Sequence, residues 1–427
     1  MPSTTTSSTV STGTSSNKTN VEFYKLRVGL LPDELYRPDV PVEKWLEHCE
    51  VTTNAKEGFP PHSLCTVDAL EWDVHLERLV GISLYMWMNV LPFFLMLLVL
   101  PVLLGVTCYH YFVDNDVTIT TLFPRAKLMI LVVLGYTAIL VFLETMVFQP
   151  LFQRKYKQNI DKEGFLNSSS SDKDYRRNQY VFTERNTTKY MSTTFVWPKS
   201  MHLSNNNKDT PVLFCIVPHG VAPFGITAYP VWSKLWNSNL CRWTTAPVVL
   251  KIPIVGYLLS KIGYIPAKAP SILEALTKRD ENVGIILDGI AGMFHQSATH
   301  ETAYLKQRKG IVKIALKAGV PLVPVYGFGH TAAYTVLVDP FGILQRLSNA
   351  LQTSLTPFLG RWGWLLGPPR RVPTTVCLGN PVICPKIDDP TQEQINQYHE
   401  QLLENYRQVF EQHKAAYGWK EKTLKFV

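Results

Sequence analysis

Hydrophobic and polar positions divide the 427-residue chain into unlike parts. The first twenty residues are rich in Ser and Thr and hold no apolar stretch, a pattern of disorder and not of a secretory leader. Ile82 to Val106 then runs 25 residues without a charge, and Leu128 to Phe148 runs 21 residues with one acid, Glu144. As a helix the first run would be about 37 Å long, enough to cross a hydrocarbon core of about 30 Å. Pro92 and Pro101 would kink it. The short link from Thr107 to Lys127 makes a membrane helical hairpin the simplest arrangement, with a single re-entrant element as the alternative. Residues 159–210 are polar and read as a linker.

Beyond residue 210, short apolar runs alternate with helical patterns. Val212–Val217, Ala246–Leu250, Val283–Leu287, Leu322–Tyr326 and Thr374–Leu378 read as buried strands. Helices are expected near 252–262, 270–280 and 305–318. A last helix places Ile395, Tyr398, Leu402, Tyr406, Val409 and Phe410 on one face, with Asp389 as its cap and Pro390 in its first position. Such alternation predicts an α/β domain with a largely parallel sheet. The expected organisation is a variable, partly disordered N-terminal region (1–60), a hairpin region (61–158, spans 82–106 and 128–148), the linker (159–210) and the α/β domain (211–427).

Composition narrows the partners. Lys and Arg outnumber Asp and Glu by 42 to 34, a net charge of +8, which suits anionic lipid surfaces or phosphorylated ligands. No nucleic-acid motif accompanies that charge, so nucleic acid is not expected as a partner. Arg154, Lys155, Lys157 and Lys162 follow the second span, whereas the link holds only Arg125 and Lys127, so the C-terminal body is expected in the cytosol. Glu144 lies near the end of its span and reads as an interfacial acid; the sequons at Asn17, Asn167 and Asn186 would then stay unused. The seven cysteines form no C-x-x-C, which argues against a zinc finger and a disulfide framework, and no acid/His cluster has the spacing of a metal site.

Two blocks carry candidate chemistry. Val217-Pro218-His219-Gly220 puts a histidine just past an apolar strand, where α/β sheets place ligand chemistry. A histidine there is a natural general base, Pro218 stiffens the approach, and Gly220 permits a tight turn and close substrate approach. Residues from Phe224 onward are read as the start of a helix whose N–H groups would face an oxyanion. In the second block, Lys309, Lys313 and Lys317 recur every four residues beside Arg308, opposite Ile311, Ile314, Ala315 and Ala318, and Gly319 ends the helix. The cationic stripe would hold phosphates or face anionic lipid; a solvated helix face explains the same spacing.

Together these blocks resemble the type-2 diacylglycerol acyltransferase family, whose members carry His-Pro-His-Gly or Glu-Pro-His-Gly and a second block matched here by Arg308, Gly310, Lys313, Ala315, Gly319, Pro324, Phe328 and Gly329. Later landmarks, Gly379-Asn380-Pro381-Val382 and Pro390-Thr391-Gln392 among them, fit as well. The resemblance implies a glycerolipid-acyltransferase-like α/β domain that transfers an acyl group from acyl-CoA, a co-substrate and not a cofactor, to diacylglycerol. It implies triacylglycerol as product, membrane lipids as partners, and a multi-pass setting in the endoplasmic reticulum or at the lipid-droplet surface; self-association stays open. It puts the base at His219, and substrate contacts at Pro218, Gly220, Arg308, Lys309, Gly310, Lys313, Lys317, Pro324, Phe328 and Gly329. No G-x-S-x-G elbow is present, which disfavours a serine hydrolase.

The chain departs from the family at instructive places. Val217 replaces the first residue of the His block, and Phe224, five residues after His219, cannot orient the imidazole as an aspartate would. A third family block, P-G-G-x-x-E, aligns with Leu287-Asp288-Gly289-Ile290-Ala291-Gly292, so the usual glutamate is Gly292 and one usual glycine is Asp288. Asp288 is therefore expected to supply the lost carboxylate and hold the His219 tautomer; an equally simple reading is that it caps the following turn. His295, His300 and His330 are packing histidines or second proton-transfer groups. Monoacylglycerol or a fatty alcohol as acceptor, a catalytically inactive membrane scaffold, and a surface-binding protein are the rival readings.

Overall fold

The computed structural model describes residues 22–36, 40, 42–52, 187–201, 210–224, 241–251, 256, 259–260, 263–294, 297, 299–337, 339, 341–351, 354, 356–365 and 367–427. The expected hairpin spans and most of the expected 252–262 helix lie outside them. Among the described residues no helix is long and apolar enough to cross a membrane.

The described strands are β1 (Phe23–Leu26), β2 (Glu50–Thr52), β3 (Thr194–Pro198), β4 (Leu213–Val217), β5 (Cys241–Thr245), β6 (Ile265–Pro266), β7 (Asn282–Ile286), β8 (His300–Ala303), β9 (Leu322–Phe328), β10 (Thr335–Val336), β11 (Phe358–Leu359), β12 (Thr375–Leu378) and β13 (Thr423–Phe426). The α-helices are α1 (Val42–Leu46), α2 (Ala269–Lys278), α3 (Gly310–Ala318), α4 (Ile343–Leu351) and α5 (Gln392–His413). Nine strands form one sheet in the order β2-β1-β3-β12-β9-β4-β7-β5-β6. The run β9-β4-β7-β5-β6 is parallel throughout, as the alternating pattern predicts. On the other side β12 is antiparallel to β9, and β1 is antiparallel to β3 and β2, so the sheet as a whole is mixed.

Alternation along β4 shows how both faces are covered. Leu213, Cys215 and Val217 point into a core built with α2, α3 and α5. Phe214 and Ile216 point into a second core that contains Leu26, Val28, Leu31, Leu35 and Trp45 from the N-terminal segment. A parallel strand apolar on both faces needs a cover on each. Here residues 23–46 help supply one of them. The N-terminal region and the linker of the sequence reading therefore contribute β1, β2 and β3 to the main sheet, and Trp45 is fully buried with its indole N–H donating to the Leu35 carbonyl at 2.8 Å.

Three local expectations need correction. The strand expected at Ala246–Leu250 is Cys241–Thr245, because Pro247 lacks the N–H that would continue a ladder and a 3₁₀ turn over Val249–Lys251 follows. The basic helix begins at Gly310, not Leu305; residues 305–309 form a turn, closed by the Arg308 N–H on the Leu305 carbonyl. Its end is as expected: Gly319 is left-handed, and its N–H meets the Ala315 and Leu316 carbonyls. The cap of α5 is Thr391 and not Asp389. The Thr391 hydroxyl accepts from the Gln394 N–H at 3.2 Å, and Gln394 Oε1 accepts from the Thr391 N–H at 2.9 Å.

Candidate active site

Three adjacent parallel strands deliver the site. His219 follows β4, Asp288 follows β7 and His330 follows β9, all at the carboxyl end of the sheet. The Val217–Pro218 peptide is cis. Gly220 then turns at φ +60°, and a Cβ there would run into the His330 carbonyl, so glycine is required for both conformation and space. His330 is buried in that contact. Its Nδ1–H donates to the Pro218 carbonyl at 3.1 Å, and burial holds its imidazole at about 4, neutral at ordinary pH. It packs as a strut under the Pro218–Gly220 turn.

The His219 ring is surrounded by protein yet keeps part of its surface open. Its Nδ1 lies 2.7 Å from the Gly220 carbonyl oxygen. A carbonyl only accepts, so Nδ1 carries the proton and the lone pair sits on Nε2. Burial lowers the imidazole below its ordinary range, opposed by that bond, which favours the neutral, proton-accepting form.

Asp288 reaches His219 by an unexpected route. Its Oδ2 accepts from the His219 backbone N–H at 2.9 Å and not from the ring, so the tautomer is held by Gly220 and the carboxylate anchors the turn. Asp288 also stands at the start of the 3₁₀ turn Gly289–Met293, without a side-chain capping hydrogen bond but with the Gly289 N–H near enough to favour its charged form. Asp288 is fully buried, and its Oδ1 has no hydrogen-bond partner. Burial pushes the carboxyl up to about 7, against the opposing pull of the His219 N–H and of Arg308. A Cβ built on Gly292 would fall on the Asp288 carboxylate. The carboxylate thus occupies space that a side chain at 292 would need, which is the physical content of the exchange between positions 288 and 292.

The second block divides in the structure. The Arg308 guanidinium lies beside Gly289, 3.5 Å from where a Cβ would stand, and so joins the Asp288 turn while remaining exposed. Lys313 is exposed and Lys317 half-buried on α3. Lys309 precedes the helix, and its Nζ donates to Asn396 Oδ1 of α5 at 2.8 Å, tying two helices together. Gly310 opens α3 with free space around it. Pro324 lies within β9, against Gly379. Phe328 is fully buried and stacks on Phe410 with centroids 5.7 Å apart, beside Tyr326, Tyr417 and Trp419. Both lie in packing environments away from the open surface. Gly329 follows in a left-handed conformation beneath Tyr417.

Sequence reasoning missed Tyr304, a half-buried phenol near Asp288 whose pKa is raised by burial and by that carboxyl. No local pattern marks it, because its place depends on where the chain returns after β8. His300 bonds Ser297 and Thr299 at the start of β8, apart from this cluster; His295 lies outside the described residues. So do residues 225–240, where the oxyanion-facing helix was expected.

The sequence pattern of the family described as "Diacylglycerol acyltransferase" matches residues 160–427, more than half of the chain. The chain belongs to that family. Its match begins in the polar segment before β3, consistent with the place of that strand in the sheet. Among similar proteins, Diacylglycerol O-acyltransferase 2-like protein 6 of Bos taurus is 29% identical over 228 residues, 48% of this chain and 66% of the relative. Acyl-CoA wax alcohol acyltransferase 2 of Homo sapiens is 34% identical over 222 residues, 48% of this chain and 66% of the relative. 2-acylglycerol O-acyltransferase 1 of Bos taurus is 29% identical over 233 residues, 50% of this chain and 69% of the relative. The chain thus spans just under two thirds of the length of the first of these family members.

Proposed function

We propose that this chain is an acyl-CoA-dependent O-acyltransferase that forms triacylglycerol from diacylglycerol. The observation that carries the reading is the fixed tautomer of His219: Nδ1–H on the Gly220 carbonyl leaves Nε2 to accept a proton. In this reaction the Nε2 lone pair takes the proton of the acceptor hydroxyl as its oxygen attacks the thioester carbonyl carbon. The tetrahedral adduct collapses, the C–S bond breaks, and the CoA thiolate leaves and recovers the proton from the imidazolium. Asp288 acts through the backbone of His219 and is a positioning residue, while Arg308 and Lys313 present cationic groups to the CoA phosphates. The setting in this reading is the endoplasmic-reticulum membrane or lipid-droplet surface, with the site facing the cytosol. A wax-alcohol or 2-acylglycerol acceptor is the second reading, favoured by the names of two of the relatives.

The test is labelled acyl transfer from oleoyl-CoA in membranes of triacylglycerol-deficient cells, with diacylglycerol, monoacylglycerol or fatty alcohol as acceptor. Labelled triacylglycerol that disappears in His219→Ala supports enzyme, acceptor and base together. A product from another acceptor moves the assignment to the second reading. No product from well-expressed wild type with any acceptor replaces the enzyme with a scaffold of the same fold.

A further inference from the structure

Ten large hydrophobic side chains stand exposed among the described residues, and seven of them fall between 337 and 365: Leu337, Phe341, Ile343, Leu347, Trp362, Trp364 and Leu365. Single exposed apolar residues are ordinary, but a concentration of this kind marks an interaction surface. The segment folds as a unit. β10 pairs with β11, the Leu337 N–H donates to the Pro357 carbonyl at 2.9 Å, and Leu359 bridges Leu365. α4 forms the connection between β10 and β11, capped by Asp339, whose carboxylate accepts from the Ile343 and Gln345 N–H groups.

The helix is turned opposite to a core helix. Ile343 and Leu347, one turn apart, face outward, while Ser348 is fully buried. In water this arrangement leaves apolar area exposed. Beside it, Trp362 is exposed at 58% and Trp364 at 61%, their rings 5.1 Å apart, and the Arg361 guanidinium lies over Trp362 at 4.6 Å. Exposed tryptophans with adjacent arginines suit the boundary between headgroups and acyl chains, where the ring is amphipathic and the cation meets phosphate.

Charge identifies the occupant. Arg346 and Arg361 carry charge beside the apolar face, while Arg370 and Arg371 turn onto the Ala332 and Tyr190 carbonyls; the one acid from 335 to 371, Asp339, spends its oxygens on the α4 cap. A cationic rim around an apolar face complements an anionic lipid surface. Position supports the same occupant: α4 packs against the Gly289–Met293 turn behind Asp288, and the Arg370 side chain bonds the Ala332 carbonyl two residues after His330.

We propose that residues 341–347 and 361–365 form a monotopic docking face that seats the carboxyl end of the sheet on an anionic lipid surface, separately from the apolar runs at 82–148. Phe341, Ile343, Leu347, Trp362 and Trp364 enter the headgroup–acyl boundary, and Arg346 and Arg361 meet the phosphates above them. The site then opens at membrane level, where a water-insoluble hydroxyl is available.

The test reads the two tryptophans and is indifferent to turnover, so it stands apart from the acyltransferase assay. Full-length chain and its Trp362→Phe/Trp364→Phe variant are reconstituted into vesicles of phosphatidylcholine with phosphatidylserine. The emission difference between them isolates these two of the ten tryptophans. Quenching of that difference by lipid brominated near the headgroup, with loss of quenching by aqueous acrylamide, is the expected result. Quenching by acrylamide alone would overturn the proposal by placing the face in water. Protection from both quenchers would overturn it too, by placing a second copy or another protein there.

Discussion

Restoring a side chain at position 292 gives the sharpest probe of the site. In Gly292→Ala the new Cβ falls on the Asp288 carboxylate. The backbone cannot yield cheaply, since the Gly292 N–H bonds the Asp288 carbonyl within the same 3₁₀ turn. The carboxylate cannot yield cheaply either, because it is fully buried and moving it breaks the 2.9 Å bond from the His219 N–H. Overpacking of this kind costs about 1–3 kcal/mol. Leaving the buried His219 N–H unpaired adds about 1–3 kcal/mol. Asp288→Gly relieves the clash, so the pair Asp288→Gly/Gly292→Ala should cost less than the sum of its parts, with a coupling of about 0.5–3 kcal/mol. The assay is equilibrium urea unfolding of the four proteins in one detergent, followed by turnover on those that fold. If Gly292→Ala is as stable as wild type, or the two costs simply add, the two side chains do not compete for one space and the exchange has no structural meaning.

Three further outcomes follow from the structure. The acid limb of kcat/KM should lie below pH 6.5: burial lowers the His219 pKa, the neutral imidazole is the active base, and activity falls only as pH drops through the depressed value, which a pH profile with saturating acyl-CoA measures. Phe328→Ala should lower unfolding free energy by about 3–5 kcal/mol by emptying the aromatic cluster around Phe410, whereas Lys313→Ala, exposed on α3, should leave the melting temperature unchanged and raise KM for acyl-CoA more steeply at low salt.

Much of the α/β half was legible in the chain because its signals are local. Apolar runs too short for helices placed β4, β7, β9 and β12 to within a residue or two at most of their ends. The 3.6-residue repeat placed α5, and a left-handed glycine stopped α3. His219 was located by its place after a strand. Its neighbours were not all so accessible. Asp288 was expected to bind the imidazole, but the backbone of the Gly220 turn takes that position and leaves the carboxylate to the His219 N–H. Phe328 belongs to the same motif as Arg308, yet alternation along β9 turns it into the α5 core. Spacing within a motif cannot tell those two fates apart.

What the sequence by itself determined is the family, the parallel heart of the sheet and the strand end that holds the histidine, because these rest on contacts between residues near in sequence or on motif chemistry. Only the tertiary structure decided that residues 23–26, 50–52 and 194–198 complete the sheet, that Asp288 takes the space of a side chain at 292, and that Ile343 and Leu347 of α4 point outward. Each of these depends on which distant segment occupies a given volume or covers a given face. Close packing settles such questions among all parts of the chain at once, and no window of sequence contains the answer.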